Sequence, residues 1–140
     1  MKNEFHISTD KDKLDIPKIH GTIKDSYWGG YRDMEMTRTT IENSMCFGIY
    51  ATDGEQVGFA RVLTDKVAFA YIMDVLVFDP YKGKGLGKML MEYIMGHPVI
   101  ENVLTIALKT KDAHLFYGPF GFKKIGDSSL WMAKDRAQLD

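Results

Sequence analysis

The pattern of apolar and polar positions predicts helices in the first third of the chain and mostly strands after residue 45. Phe5–Ser8 predicts a short first strand. Isoleucines recur at helical spacing at positions 16, 19 and 23, after Asp15, a residue type that caps helices; Pro17 is tolerated in a first turn. The glycine pair in residues 26–32 ends this helix. Residues 37–44 predict a second, shorter one.

Three apolar runs follow, and each predicts a strand. Runs 46–51 and 57–63 are rich in aromatic and branched residues and flank Asp53-Gly54, which is typical of a hairpin. The third run, residues 67–78, is almost wholly apolar and contains one charged residue, Asp74. Such a run predicts a strand that is covered on both faces, and Asp79-Pro80 ends it.

After residue 78, segments with the apolar spacing of a helix alternate with segments that have the apolar pattern of a strand. Residues 84–95 predict a helix, 103–108 a buried strand, and 113–117 a helix that Asp112 can cap. Residues 121–125 and 129–132 predict two closing strands. A strand meander followed by a single crossover helix predicts an α/β protein of the α+β type, with a mixed sheet that is antiparallel first and partly parallel later.

Composition narrows the class of protein. The chain has 140 residues, which suits a single domain over 1–140, and its 18 basic and 19 acidic residues leave a formal charge of -1. This balance argues against non-specific nucleic-acid binding. No apolar run is long enough to span a membrane, and residues 1–10 lack the apolar core of a signal peptide. One cysteine, Cys46, allows no intrachain disulfide, so we expect a cytoplasmic protein.

Three glycines alternate with other residues at the start of the predicted 84–95 helix, beside three lysines. Gly83, Gly85 and Gly87 allow backbone amides to approach an anion closely, at a helix end where the dipole also favours negative charge. The lysines are Lys82, Lys84 and Lys88. This pattern predicts a phosphate or pyrophosphate site, the alternative being a solvated tight turn. The spacing is one residue short of a P-loop, and the preceding antiparallel strands disfavour a dinucleotide fold.

Two segments carry a resemblance to a known family. Residues 74–88, DVLVFDPYKGKGLGK, resemble the acetyl-CoA motif of the GNAT superfamily of N-acetyltransferases, and residues 112–122, DAHLFYGPFGF, resemble its second signature. The likeness covers residues 45–132 and leaves residues 1–44 as the variable, acceptor-side helices. It departs from the usual pattern at Lys82, where Arg or Gln is common, and at Asp112, where Asn is common and where we expect a helix cap instead.

The resemblance implies a fold and a cofactor. The fold is a mostly antiparallel sheet of six to seven strands, with helices on both faces and a splay between two central parallel strands. The cofactor is acetyl-CoA as co-substrate, and no metal is needed. The pantetheine arm would follow the strand before the loop and the pyrophosphate would bind the loop amides. The residues implied are Val75, Leu76, Val77, Lys82, Gly83, Lys84, Gly85, Leu86, Gly87, Lys88 and Asp112.

The resemblance also suggests catalytic groups. Tyr117 matches the family's tyrosine near the cofactor sulfur, so it is a candidate general acid for the CoA thiolate; packing against the sheet is the alternative. Asp74 is a candidate base or amine-binding group, or else a structural residue paired with the backbone or with Arg61. The Val75 amide is the expected oxyanion donor.

The acceptor region is predicted in residues 27–32. Tyr27, Trp28 and Tyr31 would form a pocket wall and Arg32 would bind an anion on the acceptor, unless these aromatics simply pack on the sheet. The implied function is transfer of acetyl to a primary amine of a small molecule or protein by direct attack. The alternative is a non-catalytic acyl-CoA-binding sensor or interaction module. A homodimer through the strand around Trp131 is a further expectation.

Overall fold

Helices cover both faces of a sheet that has five strands within the described part of the chain. The structure, a computed structural model, describes residues 4–126 and 128–136. Its elements, in chain order, are β1 Phe5–Ser8, α1 Ile16–Lys24, α2 Met34–Glu42, β2 Met45–Ala51, β3 Gln56–Thr64, β4 Phe69–Val77, α3 Leu86–Met95, β5 Thr105–Leu108 and α4 His114–Tyr117, with short 3-10 turns at Lys11–Lys13 and Gly118–Phe120. The predicted α/β class is confirmed.

The sheet has the order β1-β2-β3-β4-β5, antiparallel as far as β4 and parallel between β4 and β5. The predicted hairpin joins β2 to β3. Its turn closes because the Asp53 carboxylate accepts the Glu55 N–H at 2.9 Å and Gly54 adopts a φ of 91°, a left-handed conformation that favours glycine.

Side-chain caps fix where α1 and α2 begin. The Asp15 carboxylate accepts the Lys18 N–H at 3.2 Å, as the sequence predicted. The Asp33 carboxylate accepts the Met36 N–H at 2.8 Å, so α2 begins at Met34 and not at the predicted residue 37. The capping aspartate overrides the weak apolar periodicity of this short segment.

The two helical layers bury separate apolar clusters. Helix α3 places Leu86, Leu90 and Ile94, spaced one turn apart, against one face of the sheet. On the other face, α1 and α2 contribute Ile19, Ile23 and Ile41. Helices therefore lie on both faces, as predicted.

An irregularity in β4 exchanges the faces to which its side chains point. Ile72 packs into the α3-side cluster, whereas Leu76, four residues later, packs into the α1/α2-side cluster. Strand pairing shifts between Phe59 and Arg61 of β3, which leaves Asp74 and Val75 without register partners. Because one extra residue reverses the alternation, this β-bulge accounts for the exchange.

Strands β4 and β5 separate after a short pairing. They pair in register from Phe69 with Thr105 to Ile72 with Leu108, and β4 then continues to Val77 after β5 has ended. This is the predicted splay between parallel strands. It lies at the edge of the described sheet and not at its centre.

The two predicted closing strands are wrong. Over residues 121–126 and 128–136 the structure has no strand, which is why the described sheet has five strands and not six to seven. Gly121 and Gly126 are left-handed, with φ of 96° and 59°, and leave only four residues between them. Trp131 instead packs near Phe69, with ring centroids 6.2 Å apart. No helix of the described residues has the length and hydropathy needed to cross a membrane.

Candidate active site

The glycine-rich loop ends in a helix start whose amides are available to a ligand. Gly85 is the N-cap of α3, has a φ of 78° and supplies no side-chain cap. The Met89 N–H donates to the Gly85 carbonyl at 3.1 Å, so by helix geometry the three amides between these residues lie ahead of the intrahelical bonds. A Cβ added at Gly83 or Gly85 would have no heavy atom within 4 Å. The loop is therefore uncrowded at these two glycines, and the helix start that follows it has free amides for an anion.

The three lysines of the loop are exposed, and the residues between them differ in which groups are available to a ligand. Lys82 lies 3.8 Å from an exposed Asp79 oxygen, a weak surface pair. The Leu86 side chain is buried in the core, so only its amide is available. At Gly87, a Cβ would lie 3.4 Å from the Phe116 ring, so glycine here permits close packing of α3 on α4.

Asp112 does not cap α4, which corrects the prediction. The N-cap is Ala113, without a side-chain cap bond, and the Ala113 N–H donates to the Thr110 hydroxyl at 3.0 Å. The Asp112 side chain is exposed. The hydrogen bond between the Ala113 N–H and Thr110 forms a turn over residues 110–113. The helix therefore begins after Ala113, and Asp112 makes no capping hydrogen bond.

A pocket of about 310 Å3 lies beside the end of β4 that pairs with β3 but no longer with β5. Its lining comes from the end of α1, from β4 and from the loop that follows: Thr22, Asp25, Ser26, Trp28, Val75, Leu76, Val77, Asp79 and Lys82. A larger pocket, about 450 Å3, lies between β1 and α3 and is lined by Ile7, Met89, Glu92 and Tyr93. We take the smaller pocket as the site because it joins the splay to the glycine-rich loop.

Tyr117 lies at the end of α4, in an aromatic environment that packs on the α3-side cluster. Its ring centroid is 4.9 Å from that of Phe116 and 6.2 Å from that of Phe122. Burial raises the pKa of the Tyr117 phenol, and the neighbouring Tyr27 phenol raises it further. The hydroxyl therefore stays protonated at neutral pH, as a general acid must.

Asp74 is buried and bound by two arginines. One carboxylate oxygen accepts from Arg61 Nε at 2.6 Å and from Arg32 Nη1 at 2.7 Å, while the other accepts from Arg32 Nη2 at 3.1 Å. Arg61 also donates to the Ser44 hydroxyl at 3.1 Å. These contacts include the pairing with Arg61 that was one of the two alternatives for Asp74. We call Arg32, Asp74 and Arg61 the arginine–aspartate cluster.

The structure places Arg32 inside this cluster, and its predicted contact with an anion on the acceptor stays a prediction. Burial lowers the pKa of Arg32, but hydrogen bonds to Asp74 and Tyr31 outweigh burial and the net pKa is raised. Its guanidinium lies over the rings of Trp28 and Tyr31, 5.5 Å and 5.9 Å from their centroids. The N–H groups of Nη1 and Nη2 that face Asp74 are already used in these bonds, so a second carboxylate cannot bind the same pair of donors.

The predicted aromatic wall has one half-buried member and two exposed ones. Trp28 packs on the α1/α2-side cluster, whereas Tyr31 is 70% exposed and Tyr27 is 58% exposed. Lys111, from the loop after β5, lies 5.4 Å from the Tyr27 ring centroid. The acceptor-side loop therefore contacts the loop beyond the splay.

Several lining residues were not predicted. Thr22, Asp25 and Ser26 come from the end of α1. Lys111, from the β5–α4 loop, is a further unpredicted residue and contacts Tyr27. The spacing of α1 shows which residues face its core, but no local signal shows that its end borders a pocket. Among residues 4–126 and 128–136, no three His, Cys, Asp or Glu side chains are grouped as metal ligands would be.

A mixed sheet whose parallel pair separates beside the start of a helix that follows a glycine-rich loop is the architecture of GNAT-type acetyltransferases. The chain belongs to this family, because the family model described as an acetyltransferase (GNAT) domain matches residues 43–124, more than half of it.

Relatives agree with this assignment. A GNAT-family protein from Xanthomonas campestris pv. campestris has a solved structure that matches with a TM-score of 0.90 and 37% identity, covering 96% of this chain and 95% of that one. A Gibberella zeae protein, provisionally named an acetyltransferase, is 26% identical over 87% of this chain and 81% of its own length. The uncharacterized N-acetyltransferase ycf52 of Gracilaria tenuistipitata var. liui is 39% identical over 65% of this chain, which spans about half, 53%, of that protein.

Proposed function

We propose that this protein is an acetyl-CoA-dependent N-acetyltransferase that moves an acetyl group to a primary amine by direct attack. The observation that carries the proposal is that the part of β4 without a β5 partner leads, through the glycine-rich loop, to the uncapped start of α3. A ligand arm lying along β4 after Ile72 would lead its phosphates to the amides that follow Gly85. That combination suits a thioester on a pantetheine arm with a pyrophosphate at its far end.

The fit to acetyl-CoA is supported group by group. Val75 and Val77 lie on the part of β4 without a β5 partner, so their backbone groups are candidates for pairing with the amides of pantetheine. Leu76 would contribute through its backbone, because its side chain packs in the α1/α2-side cluster. The exposed lysines of the loop add positive charge beside the pyrophosphate. Asp112 is exposed and contributes no positive charge, so we assign it no contact with a phosphate.

The reaction needs an oxyanion donor and an acid. The amine nitrogen attacks the thioester carbonyl carbon, the tetrahedral oxyanion accepts a hydrogen bond from the Val75 amide, and the C–S bond then breaks. The Tyr117 hydroxyl donates its proton to the departing thiolate, and the attacking amine loses a proton to solvent. Burial of Tyr117 raises its pKa, so the phenol is present as the acid when the thiolate forms.

We do not assign the base to Asp74, because its contacts favour a structural role. Both of its oxygens accept from arginines, and its side chain is 2% exposed. The lone pairs that face the two arginines are already used in these hydrogen bonds and are not available to an amine. The base role stays a hypothesis that the experiments below separate from a positioning role.

The acceptor side is assigned to residues 1–44, within a single domain over 1–140 whose cofactor core is 45–132. Support comes from the packing of α1, α2 and Trp28 on the sheet face that carries Leu76, from the place of Trp28 in the pocket beside Val75–Val77, and from the contact of Tyr27 with Lys111 of the loop after β5. Exposed tyrosines there suit an amine attached to a polar body. A cytoplasmic location stays a prediction.

The proposal is tested by binding and turnover. Isothermal titration should show acetyl-CoA and CoA binding more tightly than ATP, and a panel of primary amines should include one that releases free CoA thiol in proportion to acetylated product. Tight acetyl-CoA binding with no turnover across small amines and lysine peptides would contradict the enzyme and favour a sensor or interaction module. Tighter binding of ATP would contradict the cofactor assignment.

A further inference from the structure

We propose that Asp74 is a positioning residue, which joins the acceptor-side loop and β3 to the strained bulge of β4 and so holds the Val75 amide at the splay. The inference rests on the proposed function for the role of that amide. The arginine–aspartate cluster itself is independent of it.

The bulge of β4 is a strained conformation at a defined residue. Asp74 has a φ of 53°, in the left-handed region that is uncommon for residues other than glycine and that aspartate tolerates better than most. Such a conformation persists only where the surroundings fix it. It falls where β4 exchanges faces, next to Val75, which lies on the part of β4 that β5 has left.

Three separate parts of the chain meet at the Asp74 carboxylate. Arg32 comes from the loop between α1 and α2, 42 residues away, and Arg61 comes from β3, 13 residues away. Arg32 binds with both terminal nitrogens, which fixes the orientation of the carboxylate as well as its position. Arg61 adds a third bond and is itself held by the Ser44 hydroxyl at 3.1 Å.

The burial of these groups makes the cluster rigid. Arg32, Arg61 and Asp74 are 6%, 5% and 7% exposed, so none can exchange its partner for water at little cost. Two guanidiniums and one carboxylate leave a net positive charge, and removal of the carboxylate charge would leave two buried cations facing each other. The bulge and the loop that carries Trp28 and Tyr31 are therefore fixed together.

The consequence for the reaction is that the cofactor phosphates and the thioester are held by different parts of the site. Cofactor binding at the start of α3 does not depend on the cluster, whereas the geometry at the thioester does. Disturbing the cluster should lower kcat and leave CoA affinity nearly unchanged. A base at Asp74 would instead give a kcat that follows the titration of one group.

The test compares Asp74→Asn, the milder Arg32→Lys, and Val62→Ala as a control for stability. Lysine keeps the charge at position 32 but loses the planar fork. Val62 is fully buried in the α3-side cluster and carries no role in the site. Each variant is measured for kcat, KM, CoA dissociation constant and melting temperature with the full chain.

We expect Asp74→Asn to lower kcat at least tenfold and Arg32→Lys at least threefold, with CoA affinity within threefold of the native value and the shape of the kcat–pH profile unchanged. Three results would overturn the proposal: a kcat within twofold of native in both variants, an equal loss in Val62→Ala at the same melting temperature, or loss of a limb of the pH profile in Asp74→Asn alone.

A second readout keeps this test separate from the proposed function. In the native protein labelled with 15N, the Val75 amide resonance should shift when acetyl-CoA binds, and Arg32→Lys should abolish that shift while the Gly87 amide still responds. An unchanged Val75 response in Arg32→Lys would refute the positioning role, whether or not any amine is acetylated. Absence of turnover in the native protein, with these shifts as expected, would refute only the proposed reaction.

Discussion

Replacing Gly85 with alanine tests whether the start of α3 binds the cofactor phosphates. Gly85 has a φ of 78°, and a Cβ there would meet no heavy atom within 4 Å, so the substitution causes no clash. Its cost is conformational, about 1–2 kcal/mol for placing an L residue in the left-handed region. For a chain of this size, that loss lowers the melting temperature by roughly 3–6 °C.

The effect on binding should be larger than the effect on stability. Alanine favours negative φ, and a backbone that relaxes toward it rotates the amides at the helix start away from the pyrophosphate. Loss of one hydrogen bond to a charged group costs about 1.5–3 kcal/mol. The dissociation constant for acetyl-CoA should therefore rise roughly 10- to 100-fold.

Gly54→Ala is the matched control. Gly54 has a φ of 91°, also has no heavy atom within 4 Å of a built Cβ, and lies in the β2–β3 turn, where it contributes no amide to α3. Both variants should therefore lose similar stability, and only Gly85→Ala should lose affinity. Differential scanning fluorimetry measures the stability and isothermal titration with acetyl-CoA measures the affinity.

The reasoning would be refuted by Gly85→Ala binding acetyl-CoA within twofold of the native protein. The helix start would then not contact the phosphates. An equal loss of affinity in Gly54→Ala would also refute it, because binding would then follow global stability and not the loop.

Three further predictions concern other residues. Tyr117→Phe should lower kcat at least tenfold with little change in acetyl-CoA affinity, and an unchanged kcat would remove the acid role. Because burial raises the pKa of the phenol, the native kcat should fall only at pH values above the range in which an exposed phenol titrates. Burial raises the pKa of the Cys46 thiol to about 11, so Ellman's reagent at pH 8 should label the native chain at least a hundredfold more slowly than the chain in guanidinium, and fast labelling would contradict this burial. The exposed Leu130 and Met132, at 87% and 96%, lie near Trp131 and suit association of two copies; light scattering should then give roughly twice the 15.9 kDa chain mass, and a monomer at all concentrations would exclude it.

The central fold could be predicted because its signals are local. Asp53-Gly54 between two apolar runs determines the hairpin, and Asp15 determines the start of α1 through its own hydrogen bond. The closing strands failed because a strand needs a neighbour to pair with, and an apolar run such as residues 129–132 does not specify one. The cap at Asp112 failed because Thr110 competes for the same turn.

The candidate site could be predicted where the backbone acts and less well where side chains from distant segments meet. The anion site follows from Gly83, Gly85 and the helix pattern after them, all within a few residues. The partner of Arg32 lies 42 residues away. The sequence showed a cation beside aromatics, which is equally typical of an acceptor pocket and of a buried ion pair.

The bulge in β4 leaves no trace in the sequence pattern, for a physical reason. Residues 67–78 are apolar on both faces, so a one-residue shift moves one apolar side chain into the place of another and the alternation gives no warning. Only Asp74 marks the position, as the one charge in the run. Its energetic requirement for partners predicted a paired carboxylate, but not that the pairing would hold a left-handed turn.

This arrangement bears on what the enzyme can accept. Arg32 is bound to Asp74, and Lys111 is a second cation beside the acceptor-side loop, with its ammonium 5.4 Å from the Tyr27 ring centroid. Lys111 belongs to the loop after β5 and Tyr27 to the loop after α1, so their contact bridges the two borders of the splay. A cation–π contact at such exposed rings is worth about 0.5–1 kcal/mol, little enough for an entering acceptor to displace it. Under the proposed function, acceptor choice would then depend on this exposed pair, and the arginine–aspartate cluster would hold the Val75 amide in place.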